Sequence, residues 1–423
     1  MRPVYLLPKE LVLPTCNRIK MKICILTHSF PRFEGDTATP FMGNLVTAMG
    51  SLGHDVYVLT PFDPLLVLRN RGPFSIIPYK YIFPDSLHIL GYARTFKKGK
   101  GLSLFTYVIA PFMYFFALIA LIKLVRKENI DVVNAHWIIP NGFIAQLAKF
   151  ILNVPVVVSI PGADVHMGGE NELFRRMVGI SARGANHIVS DSTHYIDQLK
   201  ELGFSPKYVS ILRYGVNPDT FQPTAKDKTI LTHMGVDERE KIILAVGRMI
   251  AQKGFIYLVR AFATVAKKVP NATLVMIGDG YEMPHLVKET KKLNLSDRVI
   301  FPGTISYDQL SRYYNIADVL AMPSIKDSEG NLDASPVAMM EAMACGVPVV
   351  ATKFSGNDDL VIAGKTGFLV KEKNSIEIAQ ALVKLLKNKN RAETQKQVRA
   401  IALQHFSVKE IAKKYVQIFQ SIS

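Results

Sequence analysis

Cysteine is scarce in this sequence. Only Cys16, Cys24 and Cys345 occur in 423 residues. Their spacing fits neither a metal-ligand set nor a disulfide framework, so the expected compartment is the reducing cytoplasm. Acids are also short, with 35 Asp and Glu against 51 Lys and Arg and a formal charge of +16. That balance favours anionic partners: phosphate-bearing ligands, nucleic acid or an acidic membrane surface. No Arg-rich tail and no recognisable nucleic-acid module accompanies it, so nucleic acid is not expected. The G-x-G-x-x-G fingerprint is absent, which removes the ground for a dinucleotide site. A signal peptide is not expected either, because MRPVYLLPKELVLPTCNRIK breaks its apolar part with Pro3, Pro8, Pro14, Lys9 and Glu10. Residues 1–20 read as an extension, and translation is expected to start at Met21, directly before a clean strand.

What is present is ample for two cores: 49% of the chain is hydrophobic, and the length points to two domains. Lys22–His28 reads as a buried strand, followed by a Gly-containing loop, a helix over about Phe41–Leu52 and a strand over Asp55–Pro61. That is a Rossmann-like start. Residues 62–100 carry little pattern. The run LSLFTYVIAPFMYFFALIALI, residues 102–122, has no charge and reaches the length of a membrane span. Pro111 interrupts it, and Lys97, Lys98, Lys100, Lys123, Arg126 and Lys127 flank it. Three readings stay open: a spanning helix, a buried core helix, and a helix lying in an anionic membrane interface. Strands continue on both sides, at DVVNAHW (131–137), PVVVSI, Asn186–Ser192 and Tyr208–Gly215. The Pro and Asn of RYGVNPDTFQP mark a boundary. Alternation of strand and helix then starts again with KIILAVGRMIAQKGFIYLVRAF.

The stretch MPSIKDSEGNLDASPVAMMEAMACGVPVVAT, residues 322–352, is the expected functional centre. Pro336–Cys345 has helical apolar spacing, with Pro336 at a favourable first position. Asp333 then precedes a helix N-terminus and Glu341 lies on the helix. Free N–H groups there suit phosphate or sugar oxygens. A solvated acidic loop followed by an ordinary core helix would show the same spacing.

The wording decides between them. DASPVAMMEAMACGVPVVAT closely resembles the signature of the retaining glycosyltransferases of family 4, also called glycosyl transferases group 1. That signature is an acid, seven residues, a Glu, then Ala-Met-Ala-x-Gly-x-Pro-Val-Val. Asp333 stands where the usual first acid is Glu. VGRMIAQKG resembles the family's VGRxxxxKG, and NAHWIIPNG its AHW segment. The resemblance implies an α/β chain of GT-B fold: two Rossmann-like domains with parallel sheets facing a central cleft. It implies an acceptor-side domain over 21–216, with a C-terminal helix 407–423 packing back, and a nucleotide-sugar domain over 217–406.

It also implies retaining, metal-independent transfer from a nucleotide-diphosphate sugar, with no cofactor besides that donor. The absence of any D-x-D triplet agrees. Arg248 and Lys253 are implied as the cations that offset diphosphate charge. Asp333 would hold the donor sugar and Glu341 the ribose hydroxyls, and His136 would serve binding or catalysis. Donor contacts are implied at Gly35, Asp36, Gly247, Gly278, Gly303, Thr304, Ile305, Ala334, Ser335 and Val337. One departure is clear: Pro161 occupies the His place of the family's T-H-G-x-D segment, while Gly162 and Asp164 keep the rest. Proline can neither donate a hydrogen bond nor act as an acid. The expected acceptor is a glycan or a lipid-linked intermediate of polysaccharide or glycolipid synthesis, met at the inner face of a membrane. Two alternatives remain: a nucleotide-sugar epimerase or phosphorylase of the same fold, and a non-catalytic partner subunit that binds nucleotide or lipid.

Overall fold

The computed structural model describes residues 20–36, 38–67, 72–92, 104–326, 337–353 and 360–423. The chain divides into two compact units. One runs through Gly215 and includes Val408–Ser423; the other is Val216–Ser407. The extension expected at 1–20 lies outside the described residues except for Lys20.

Unit 1 is built from β1 Lys22–Leu26, α1 Pro40–Ser51, β2 Asp55–Pro61, β3 Phe74–Tyr79, α2 Leu104–Glu128, β4 Val132–His136, α3 Phe143–Leu152, β5 Val156–Ile160, α4 Glu172–Gly184, β6 His187–Ser190, α5 Thr193–Glu201 and β7 Val209–Ile211. Its seven strands lie in the order β3-β2-β1-β4-β5-β6-β7, and every pairing is parallel. Strands of a parallel sheet are covered on both faces, so they read as continuous apolar runs. β4 and β5 are buried at every position.

Unit 2 repeats the plan with α6 Lys228–His233, β8 Lys241–Val246, α7 Phe255–Lys268, β9 Ala272–Ile277, α8 Met283–Lys292, β10 Val299–Gly303, α9 Leu310–Ile316, β11 Val319–Met322, α10 Val337–Ala344, β12 Val349–Thr352, β13 Gly367–Val370, α11 Ser375–Leu386 and α12 Arg391–Phe406. Its six strands run β10-β9-β8-β11-β12-β13, again all parallel. The last helix, α13 Val408–Ile422, belongs to unit 1 and packs on α1. Ile411, Ala412, Tyr415 and Phe419 share one buried cluster with Met42, Leu45 and Met49.

The uncharged run forms most of α2. Ile109, Met113, Ala117, Leu121 and Leu124 are buried, a spacing of four, four, four and three that marks one helix face. That face packs on α3 and on the sheet at β1, β2 and β3. Because β3 and β4 flank α2 and lie in the same sheet, α2 is a covering crossover helix, and the spanning reading is set aside. Its other face remains exposed at Val108, Phe112, Phe115 and Phe116.

Candidate functional site

The mouth of unit 2 is made where strands end. In open α/β sheets ligands bind beyond the carboxyl ends of the strands, and three of those ends are stitched together here by backbone. Gly247 N–H, after β8, donates to Ile277 O at 3.0 Å, and Gly278 N–H, after β9, donates to Gly303 O of β10 at 2.9 Å. The fit requires glycine. Gly278 has φ 131°, and a Cβ there would collide with the carbonyl oxygen of Gly247. Gly247 has φ 150°. The Lys253 side chain lies over its bare Cα, with Nζ 3.4 Å from where a Cβ would stand.

Lys253 closes a short 3-10 turn, Ala251–Lys253, ahead of α7. The turn is fixed to the exit of β11: Ile325 N–H donates to Gln252 O at 2.8 Å, and Gly254 rests against the Pro323 carbonyl. Arg248 is exposed and Lys253 half-buried. The implied cations and Gly247, Gly278 and Gly303 therefore gather at adjacent strand ends. Thr304 follows, exposed, and Ile305 packs on the core of unit 2. Val337 opens α10 and packs on the same core. Asp333, Ala334 and Ser335 lie outside the described residues.

Glu341 sits in the middle of α10 and is buried, at 4% exposure. The Tyr314 hydroxyl donates to its Oε2 at 2.8 Å, and Tyr307 makes a second side-chain hydrogen bond to the carboxyl. Burial pushes the carboxyl up to about 8, against the opposing pull of the two tyrosines. Sequence reasoning did not identify these tyrosines. Tyr313 and Tyr314 are adjacent, and only the fold shows which of them faces Glu341.

Unit 1 ends its strands differently. His136, the last residue of β4, is fully buried, and its Nδ1 lies 2.8 Å from the Tyr214 hydroxyl. Its Nε2 is buried with no hydrogen-bond partner among the described residues. Desolvation pushes it down to about 3, so the ring is neutral. Trp137 is half-buried at φ 72°, a strained conformation for a non-glycine residue. Its ring sits 4.3 Å from that of His28, and Asn141 Nδ2 reaches His28 Nδ1 at 3.1 Å. The Ile138 N–H donates to Asp164, whose carboxyl burial pushes up to about 7. His28, Asn141, Tyr214 and Trp137's strain were not singled out from the sequence.

Gly35 lies in a turn at φ 81°. Asp36 is buried and accepts from Arg32 Nε at 2.7 Å, from Arg32 N–H at 3.0 Å and from Ala38 N–H at 3.0 Å. Its carboxyl therefore shapes its own loop. Pro161 is buried at the end of β5, and His166 lies in the 3-10 turn Ala163–Gly169.

Comparison with known proteins agrees with this architecture. The family model described as "Glycosyl transferases group 1" matches residues 228–404, and that described as "Glycosyltransferase Family 4" matches 40–220. The chain is 30% identical over 272 residues to a GDP-mannose-dependent alpha-(1-6)-phosphatidylinositol monomannoside mannosyltransferase of Mycobacterium tuberculosis, covering 64% of this chain and 70% of the relative. It is 25% identical over 304 residues to an N-acetyl-alpha-D-glucosaminyl L-malate synthase of Bacillus anthracis, covering 71% and 77%. Among solved structures, the sucrose-phosphate synthase of Thermosynechococcus elongatus aligns with a TM-score of 0.75 at 20% identity, covering 95% of this chain and 99% of that one. HepE of Anabaena, in complex with UDP and glucose, aligns at 0.71 and 19%, covering 95% and 100%. These structures share the two-sheet parallel α/β fold. With both family models matched and the mycobacterial mannosyltransferase as a relative, the chain belongs to the glycosyl transferases group 1, a family of GT-B glycosyltransferases.

Proposed function

We propose that this protein moves a sugar from a nucleotide-diphosphate sugar to a glycan or lipid-linked acceptor, with retention of anomeric configuration. The observation that carries the reading is the placement of Lys253 over the bare face of Gly247, beside Arg248, where β8, β9 and β10 end. A glycosidic bond to a diphosphate breaks with negative charge building on the phosphate oxygens. Fixed cations aimed at that position lower the barrier without reorganising. Arg248 and Lys253 supply that charge, so no metal or cofactor is invoked. Gly247 and Gly278 let backbone approach the diphosphate, the N-terminus of α10 at Val337 adds oriented N–H groups, and Ala334 and Ser335 are proposed as further donor contacts. Gly303, Thr304 and Ile305 hold the base. Asp333 positions the donor sugar and Glu341 the ribose. The acceptor attacks the face that the diphosphate leaves, and a leaving phosphate oxygen takes its proton. In unit 1, Gly35, Asp36 and His136 serve the sugar and acceptor, His136 acting from its buried place through its neighbours.

The mycobacterial relative is named for GDP-mannose and a phosphatidylinositol mannoside, and HepE was solved with UDP. These names support a nucleotide-sugar donor and a lipid-linked or glycan acceptor. The exposed face of α2 supports work at a membrane. Val108, Phe112, Phe115 and Phe116 are exposed, and exposed Lys123, Arg126 and Lys127 follow in the last turns. An apolar stripe ending in cations suits the cytoplasmic face of an anionic bilayer. NMR of the product tests the reaction class. Retention predicts the donor's anomeric configuration in the product; the opposite anomer, or an epimerised nucleotide sugar formed without acceptor, overturns the proposal.

A further inference from the structure

We infer that Tyr314, assisted by Tyr307, is a positioning residue for donor binding: the two hydroxyls hold the buried Glu341 carboxyl so that its remaining acceptor sites face the nucleotide ribose. This rests on the reading of Glu341 as the ribose ligand. The geometry is specific. Tyr314 is fully buried on α9 and donates to Oε2 at 2.8 Å. Tyr307 approaches from the 3-10 turn Tyr307–Gln309, directly after the segment proposed for the base. Phe221 stands edge-on to both rings, at 5.5 Å and 5.9 Å between centroids, and fixes their orientation. A carboxylate offers about four acceptor positions. Two are taken by tyrosine, leaving the others for ribose hydroxyls.

The arrangement makes donor affinity depend on pH. Besides the two tyrosines, Glu341 has Cys345 just past the end of α10, itself near Arg399 of α12. No ion pair with Glu341 is found among the described residues, so burial dominates and, until a donor binds, the carboxyl stays protonated up to about pH 8. Ribose hydroxyls donate to the ionised form, so affinity rises as pH rises through that value. Tyr314 lowers the carboxyl's pKa. Removing its hydroxyl moves that rise to higher pH.

The test is calorimetric titration of the full chain with UDP and with GDP from pH 7 to 9.5, carried through with whichever binds more tightly. Tyr314→Phe is expected to weaken binding about tenfold at pH 7 and to recover to within about twofold at pH 9.5. Tyr307→Phe shows the same pattern with a smaller shift and replaces it if Tyr314→Phe does not fold. Glu341→Gln is expected to bind weakly with no rise above pH 7. If Glu341→Gln is weak but the tyrosine variants match wild type, or lose one constant factor at every pH, the positioning inference is overturned. If Glu341→Gln binds as wild type does, the ribose reading itself fails.

Discussion

The two sheets end in different materials. In unit 2 the strand ends carry Gly247, Gly278 and Gly303, with Lys253 over Gly247 and exposed Arg248 next to it in the chain. In unit 1 they carry His28, His136, Trp137 and Asp164, largely turned inward and engaged with Tyr214, Asn141 and the Ile138 amide. A site for a diphosphate needs close backbone approach and fixed positive charge, so its residues have little freedom. A surface for a glycan or lipid needs shape and apolar contact, which many residue sets supply. The glycine-and-cation mouth therefore stands out, whereas the aromatic one shows itself only when folded.

The largest expected effect contrasts two glycines. Gly278→Ala forces a Cβ onto the Gly247 carbonyl at a positive φ and should destabilise unit 2 by about 3 kcal/mol or more. Gly162 in unit 1 is extended at φ −170°, and a Cβ there meets nothing within 4 Å. Gly162→Ala should cost less than about 0.5 kcal/mol. Chemical denaturation measures both, and equal losses would erase the contrast.

Next is Lys253→Ala, which should lower turnover by about a hundredfold or more, the scale for losing one preorganised charge-stabilising group. Activity within about twofold of wild type would remove Lys253 from the proposed role.

The units should also respond to pH in opposite directions. His28, His136 and His187 are pushed down to about 4, 3 and 4 by burial. Their contribution is present above the ordinary histidine value near 6.5 and is lost as pH falls toward those values. Asp164, raised to about 7, opposes them in part. Glu341, raised to about 8, stabilises unit 2 below the ordinary value near 4.5, and that contribution is lost as pH rises through 8. Unit 1 should therefore weaken in mild acid. Unit 2 should weaken as pH rises from about 4.5 to about 8 in wild type and less in Glu341→Gln. Domain-resolved hydrogen exchange reports each, and a shared pH profile would contradict the assignment.

The smallest effect on stability belongs to α2. Phe112→Ser with Phe115→Ser changes exposed positions and should alter stability by no more than about 0.5 kcal/mol. It should nevertheless abolish flotation with anionic liposomes. Wild type failing to float would argue for a soluble acceptor.

Most of the fold was readable in advance because buried parallel strands leave apolar runs. β2 was expected at its observed bounds, and the start of α13 lies within one residue of expectation. β3, at 74–79, was not foreseen. It contains Pro78, which reads against a strand, yet β3 is a sheet edge, where a missing N–H is tolerated. α12 also escaped notice. Only Val398, Ala402 and Phe406 of its sixteen residues are buried, too narrow a stripe to stand out. That Gly247, Arg248, Lys253, Gly278 and Gly303 gather at adjacent strand ends was expected from the resemblance of VGRMIAQKG to the family motif and from strand ends followed by glycine. Tyr314 was not, because a buried tyrosine looks like any other core residue until its hydroxyl finds a carboxylate.

The most direct measurement is nucleoside diphosphate release from UDP-, GDP- and ADP-sugars by the purified chain, with and without membrane extract, for wild type and Lys253→Ala. The account predicts release from one donor, increased by extract and suppressed in the variant. Clear nucleotide binding without release from any donor would contradict it and leave a non-catalytic partner, with Pro161 the first residue to exchange for histidine.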